Sequence, residues 1–171
     1  NKFIITNITL RLTKKNHNIN IEYASLNNYL IENGISKPSI KNIAESVHLI
    51  RKSKLPNYRE FGNAGSFFKN PIISKKQFKQ IKSLFPEIVR FKNKHSDYKI
   101  SAAGLIENCG FKNIKEKNVT VYKDQALVII NTGNAKGKDI YNFSQKIKKT
   151  VKEKFDILLQ DCLLYTSDAA D

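Results

Sequence analysis

Ten residues constrain the fold of this chain more than any other stretch: Gly62-Asn63-Ala64-Gly65-Ser66-Phe67-Phe68-Lys69-Asn70-Pro71. Glycine permits backbone conformations that other residues resist, and it lets a ligand approach closely. The Phe67-Phe68 pair that follows is an anchor for burial. The stretch reads as a glycine-containing turn entering a buried segment. It also reads as a loop that holds Ser66 toward a ligand. These residues alone leave both readings open.

The rest of the chain bounds the choice. Its 171 residues suffice for one domain with a real core, or one domain and part of another. No apolar run reaches the length of a membrane span, and no secretory signal opens the sequence. Cys109 and Cys162 cannot build a disulfide framework, and their spacing fits no zinc motif. His17, His48 and His95 lie far apart, so no metal site is expected. The net charge is +15. That charge suits nucleic acid, or a lysine-biased composition with a pocket for anionic small molecules. The basic residues form no arm, and the phenylalanines fall at core-periodic positions, which disfavours nucleic acid. There is no methionine, so Asn1 is not a translation start. Asn1 leads straight into Phe3-Ile4-Ile5, and something upstream is expected to be missing.

Taken in order, residues 3–12 read as a strand, with Ile4, Ile8, Leu10 and Leu12 on one face. Thr13 to Asn20 reads as a turn and Ile19 to Tyr23 as a return strand. A short helix carries Leu26, Tyr29, Leu30 and Ile31 and closes at Asn33-Gly34. A second opens at the N-cap Ser39 with Ile40, Ile43, Val47 and Ile50 at helical spacing. It ends in Arg51-Lys52-Ser53-Lys54 before Leu55-Pro56. Pro56 to Phe61 reads as a linker at a domain boundary. Pro71-Ile72-Ile73 is a short strand. Ser74 and Gln77 have capping-box spacing before a helix with the stripe Phe78, Ile81, Leu84 and Phe85. Residues 87–98 read as exposed. Ala102 to Cys109 forms a helix capped by Gly110. Val119 to Tyr122 and Ala126 to Ile130 are strands, the second buried on both faces. After the turn Asn131 to Ala135, a long helix buries Ile140, Phe143, Ile147, Val151 and Phe155. Its lysines Lys146, Lys148, Lys149 and Lys152 read as solvated. Asp156 to Leu159 is a final strand. The whole is a mixed α and β chain with helices packed on sheets.

No carboxylate pair, Ser-His-Asp set, GxGxxG or P-loop is present. What remains is Ser66 with Lys54, Asn70, Lys99 and Gln125, all near predicted element ends. A serine without a histidine base is a poor nucleophile. It can still donate a proton where nearby cations stabilise the alkoxide left behind.

These residues carry a resemblance. Ser53-Lys54-Leu55-Pro56, Gly62 to Pro71, Ala103-Gly104-Leu105-Ile106-Glu107, Asp124-Gln125-Ala126-Leu127-Val128 and Asn131-Thr132-Gly133-Asn134-Ala135 resemble the C-terminal part of the UDP-N-acetylenolpyruvoylglucosamine reductase (MurB) family. The resemblance runs from about residue 3 to about residue 159. It implies an α+β fold: the end of an FAD-binding domain of the PCMH type over residues 1–55, then a substrate-binding domain over 56–160. It implies a reaction in which NADPH reduces FAD and the reduced flavin reduces the enolpyruvyl group of UDP-N-acetylglucosamine enolpyruvate. In that family the serine matching Ser66 donates the proton. Lys54 and Asn70 match substrate contacts, and Lys99 and Gln125 match contacts to the UDP moiety. Arg51 and Gly65 match positions near the flavin. A cytoplasmic monomer without nucleic-acid or membrane partners is expected.

The sequence departs from the family in three ways. The resemblance puts most of the flavin cradle, a catalytic arginine and a substrate-closing tyrosine loop upstream of Asn1. A family glutamate falls, in register, at Cys162. Residues 161–171 show no family pattern, and are expected to be a foreign, poorly ordered tail. A reductase segment inactive by itself, a UDP-sugar-binding remnant and a basic nucleic-acid binder remain the competing functions.

Overall fold

The computed structural model describes residues 5–91 and 97–163. The chain divides into two compact units, residues 1–53 and 54–171. Their element order is helix–helix, then a mixed series of strands and helices.

The first unit holds α1 (Ala24–Glu32) and α2 (Ile40–Lys54), whose last residue crosses into the second unit. Leu26 and Leu30 of α1 are buried, and Gly34 follows its C-cap Asn33 at φ +68°. Ser39 caps α2 as expected: its hydroxyl accepts the Asn42 N–H at 3.1 Å, and its own N–H donates to Asn42 Oδ1 at 2.9 Å. The predicted stripe of α2 is only partly realised, because Ile40 and Val47 are exposed and Ser46 is buried. The two predicted strands, 3–12 and 19–23, are not formed among the described residues of this unit. Ile5, Ile8, Leu10 and Leu12 are all exposed. Alternating apolar residues mark a segment able to join a sheet. A strand forms only when a neighbour completes its hydrogen-bond ladder.

The second unit contains two antiparallel sheets. The first has the order β1-β7-β6-β5, from β1 (Gly62–Ser66), β5 (Lys115–Glu116), β6 (Val119–Tyr122) and β7 (Gln125–Asn131). The second has the order β2-β4-β3, from β2 (Ile72–Ile73), β3 (Arg90–Phe91) and β4 (Tyr98–Ile100). β7 is the spine. Ala126, Val128, Ile129 and Ile130 are buried, so it is covered on both faces as its apolar run requires. α4 (Ala102–Asn108) packs on β7, and α5 (Gly137–Phe155) packs on β6 and α4. Phe143, Ile147, Val151 and Phe155 of α5 enter one core with Phe67, Phe68, Leu105, Ile106 and Phe111.

Local chemistry explains the helix starts. Ser74 caps α3 (Lys75–Leu84) by accepting the Gln77 N–H at 3.2 Å. Gln77 does not reciprocate as a capping box would, because its amide donates to Asp156 O at 3.3 Å. Ser101 caps α4 by accepting the Gly104 N–H at 3.1 Å. Leu84 ends α3 exposed, unlike the buried Phe78 and Ile81.

Four further expectations change. Residues 87–98 are not uniformly exposed: Ile88 is buried, and Arg90–Phe91 pairs with β4. Residues 92–96 lie outside the described residues. The predicted strand 156–159 is not formed: Asp156 takes the left-handed conformation at φ +55°, and beyond it Ile157 and Leu159 are buried and Leu158 exposed. Directly after it, Lys69 N–H donates to Gln160 O at 2.8 Å and Phe68 forms an isolated bridge with Asp161. Asp161 is therefore built into the body of the unit, whereas the tail was expected to begin there. Residues 164–171 lie outside the described residues. Lys146 and Lys148 are not simply solvated, since they pair with Glu116 and Asp161.

Candidate functional site

The glycine motif is a strand, not a turn. β1 pairs antiparallel with β7: Gly62 opposes Asn131, Asn63 opposes Ile130 and Ser66 opposes Val128. Between those pairs Ala64 and Gly65 oppose the single residue Ile129, which makes a bulge. Gly65 takes φ +72°, the left-handed conformation that disfavours side-chain-bearing residues. Asn63 Oδ1 accepts the Gly65 N–H at 3.1 Å and braces the bulge. All five residues of β1, Ser66 included, are exposed. The ladder then continues, with Phe67 N–H donating to Leu127 O at 2.8 Å. Phe67 and Phe68 are both buried, with ring centroids 5.1 Å apart edge to face. Ser66 is thus the last exposed residue before a deeply anchored pair.

Asn70 follows three residues after the anchor begins. Its side-chain Oδ1 accepts the backbone N–H of Ala102, the first residue of α4, at 2.9 Å. Ile100 N–H donates to Pro71 O at 3.0 Å. Ile72 opposes Lys99 in the β2–β4 pair. These bonds bring the end of the glycine motif against β4. A cleft of about 620 Å³ opens there, lined by Lys69, Asn70, Pro71, Ile72, Lys99, Leu158 and Gln160. Lys69 and Lys99 supply positive charge. Ile72 and Leu158, both exposed, supply apolar walls. An anionic ligand with a ring or aliphatic portion fits this chemistry.

The structure brings Asn70 and Lys99 together in this cleft. Ser66, Lys54 and Gln125 do not line it. Gln125 opens β7, the strand whose Val128 lies opposite Ser66, and its Oε1 meets the Leu127 N–H at 3.4 Å. Lys54 is the exposed last residue of α2, within the second unit. Arg51 lies in the last turn of α2, in the first unit. Gly65 stands in the bulge with nothing within 4 Å of where a Cβ would be. Lys69 and Gln160 were not among the predicted site residues. Lys69 lies inside the glycine motif, next to Asn70, where its charge is the signal that marks it. Gln160 had no local signal.

The Asn131 to Ala135 block has a structural task. Asn131 Oδ1 accepts the N–H groups of Gly133 and Ala135 at 3.0 and 3.2 Å, and its amide donates to Ala135 O at 2.9 Å. One side chain therefore holds the turn that leaves β7.

The fold and this cleft define an α+β domain with an antiparallel core and a basic ligand-sized groove. Residues 56–162 match the family model described as UDP-N-acetylenolpyruvoylglucosamine reductase, C-terminal domain, and the chain belongs to that family. It is 45% identical over 159 residues to the UDP-N-acetylenolpyruvoylglucosamine reductase of Flavobacterium johnsoniae, covering 93% of this chain and 47% of that protein. The reductases of Pseudomonas fluorescens and Paraburkholderia xenovorans are 35% and 36% identical, again over 93% of this chain and 47% and 46% of theirs. The chain spans about half the length of the relatives it matches. The family match extends to residue 162, past the start expected for a foreign tail.

Proposed function

We propose that this chain is the substrate-binding part of an NADPH- and FAD-dependent reductase that converts UDP-N-acetylenolpyruvoylglucosamine to UDP-N-acetylmuramate for peptidoglycan synthesis. Family membership supports the parent activity. The observation that carries the site is the bulged β1, which ends on an exposed Ser66 held by the buried Phe67-Phe68 pair. The cleft of Asn70 and Lys99 begins directly after that anchor.

The fit to a flavin can be tested on β1. Its residues are exposed, and Gly65 leaves open space where a side chain would stand. A planar ring can approach that backbone, so Gly65 would touch the flavin; the resemblance separately assigns Arg51, in the first unit, a flavin contact. Two contacts make no cradle, and weak FAD binding is expected of the chain alone. When bound, the flavin supplies the hydride that NADPH provides. Ser66 donates the proton that completes the reduction, at the carbon beside the substrate carboxylate. Hydride and proton together saturate the double bond. Charge that develops as an enolate is stabilised by nearby cations, the role given to Lys54. Lys99 holds the UDP portion in the cleft and Asn70 contacts the substrate there, while Gln125, outside the cleft lining, is a further UDP contact. A nucleotide-sugar substrate and a nicotinamide reductant put this work in the cytoplasm, for a monomer.

The test joins this chain to the part of the Flavobacterium johnsoniae relative that it does not match. In that enzyme Ser66→Ala should leave flavin reduction by NADPH intact. Reoxidation by the enolpyruvyl substrate should slow by about 10²–10⁴-fold, the usual worth of a positioned acid. Equal slowing of both half-reactions would remove Ser66 from the proton-donor role.

A further inference from the structure

Ser66 stands beside a backbone that is gripped from two sides. On one side Phe67 N–H donates to Leu127 O of β7 at 2.8 Å. On the other the chain returns as an extended strap, residues 157–162. Lys69 N–H donates to Gln160 O at 2.8 Å, and Cys162 N–H donates to Phe67 O at 2.8 Å. Between them lies the Phe68–Asp161 bridge. This grip is short, because no regular strand continues it among the described residues. Ile157 and Leu159 bury in the core and hold the near end of the strap, so it is the Asp161 end that needs a further hold.

Asp161 provides that hold. Its Oδ2 accepts from Lys148 Nζ at 3.1 Å, and the two side chains are only 17% and 21% exposed. The other oxygen, Oδ1, is buried without a hydrogen-bond partner. A sheltered carboxylate is costly unless paired, and here Lys148 is the pairing charge. Lys148 stands on α5 directly after Ile147, which is fully buried in the core. The pair therefore ties the strap to a rigid helix. The exposed pair Lys149–Glu153, at 3.9 Å on the same helix, has no such setting and contributes little.

We propose that Lys148 and Asp161 are positioning residues for Ser66: their ion pair locks the strap against the Phe67–Lys69 backbone and so sets where the Ser66 hydroxyl stands. The proposal rests on the reading of Ser66 as the proton donor. It predicts a kinetic effect on one half-reaction, beyond any loss of stability.

The experiment uses the joined enzyme described above. Asp161→Asn and Lys148→Met should each slow substrate-driven reoxidation by about tenfold, since displacing a reacting group by a fraction of its contact distance is expensive. Flavin reduction by NADPH and the KM for substrate should not change. Asp161→Glu, which keeps the charge, should restore most of the rate. In a Ser66→Ala background, Asp161→Asn should add no further slowing. Additive slowing in that background, a rise in KM alone, or equal loss in both half-reactions would overturn the proposal. A normal reoxidation rate for Ser66→Ala itself would instead overturn the proton-donor reading. Amide exchange in the 171-residue chain gives an independent readout. Lys69 and Cys162 amides, which bond across the strap, should exchange faster in Lys148→Met while the Phe67 amide, bonded to β7, stays protected; unchanged Lys69 and Cys162 exchange would overturn the locking role.

Discussion

The side-chain oxygen of Asn70 accepts the backbone N–H of Ala102 at 2.9 Å, joining the glycine motif to the first turn of α4. The same side chain lines the cleft. One group thus has a structural bond through oxygen and an amide left to face a ligand acceptor. Two substitutions separate these tasks. Asn70→Ala leaves a helix N–H without its acceptor and should cost about 1–2 kcal/mol in urea unfolding. Asn70→Asp keeps the oxygen and should fold with nearly unchanged stability. Its added negative charge should still weaken binding of a UDP-sugar, measured by calorimetry. Equal destabilisation by both variants would refute the division of roles.

Gly65 is required by its backbone, not by crowding. It sits at φ +72°, and a Cβ there would meet nothing within 4 Å. Gly65→Ala should therefore destabilise by about 1–2 kcal/mol through backbone strain alone. Gly62→Ala is the control. Its Cβ would reach Asn131 Cβ at 3.7 Å, an ordinary contact, and no positive φ is involved. Chemical denaturation of both variants should place Gly62→Ala near the parent and Gly65→Ala well below it.

Where the sequence carried local chemistry, the fold could be read from it. Ser39 and Ser74 cap the helices their spacing marked. The α5 stripe and the two-sided burial of β7 follow from apolar period alone. β1 could not be read that way. Its five exposed residues, two of them glycine, carry no alternation, and its strand state is imposed by the ladder of β7. The alternation in 157–160 is real, with Ile157 and Leu159 inward, but only an isolated bridge forms there. Residues 5–12 fail in the opposite sense, with the pattern present and the partner strand absent among the described residues. The site followed the same rule. Asn70 and Lys99 share a cleft, but the Lys148–Asp161 pair joins residues 13 apart across the end of α5 and leaves no trace in local sequence.

Acid stability should depend on Asp139. This residue sits in the first turn of α5, where its carboxylate accepts the Lys136 N–H at 3.1 Å and pairs with Lys117 at 3.3 Å. The backbone hydrogen bond, with help from Lys117, holds its pKa below the ordinary aspartate value. A lowered folded-state pKa contributes stability that is present above the unfolded value and lost as pH falls through the folded one. Melting temperature should therefore drop more steeply below about pH 4 in the parent than in Asp139→Asn. The variant should be the less stable of the two at pH 7, and the two curves should converge in acid. Parallel curves over the whole range would remove Asp139 from the acid transition.

The cleft makes the last prediction. Lys69 and Lys99 both line it, and they stand on different segments brought together by the β2–β4 pairing. If the UDP portion of the substrate binds there, each ammonium makes a charge-assisted contact with diphosphate oxygens. Removing one such contact typically costs 1.5–3 kcal/mol, about a tenfold or greater loss of affinity. Lys99→Met and Lys69→Met should each weaken UDP-N-acetylglucosamine binding to the 171-residue chain by about tenfold, read by titration calorimetry. Lys82→Met is the control, since Lys82 instead donates to the carbonyls of Pro86 and Ile88 at the end of α3. It removes the same net charge without touching the cleft. If binding followed overall charge, all three variants would weaken alike and fall together with added salt. A loss confined to Lys69 and Lys99 assigns the nucleotide to the cleft. Amide shifts on titration should then centre on Asn70 and Lys99, and a saturable response elsewhere would move the binding site away from it.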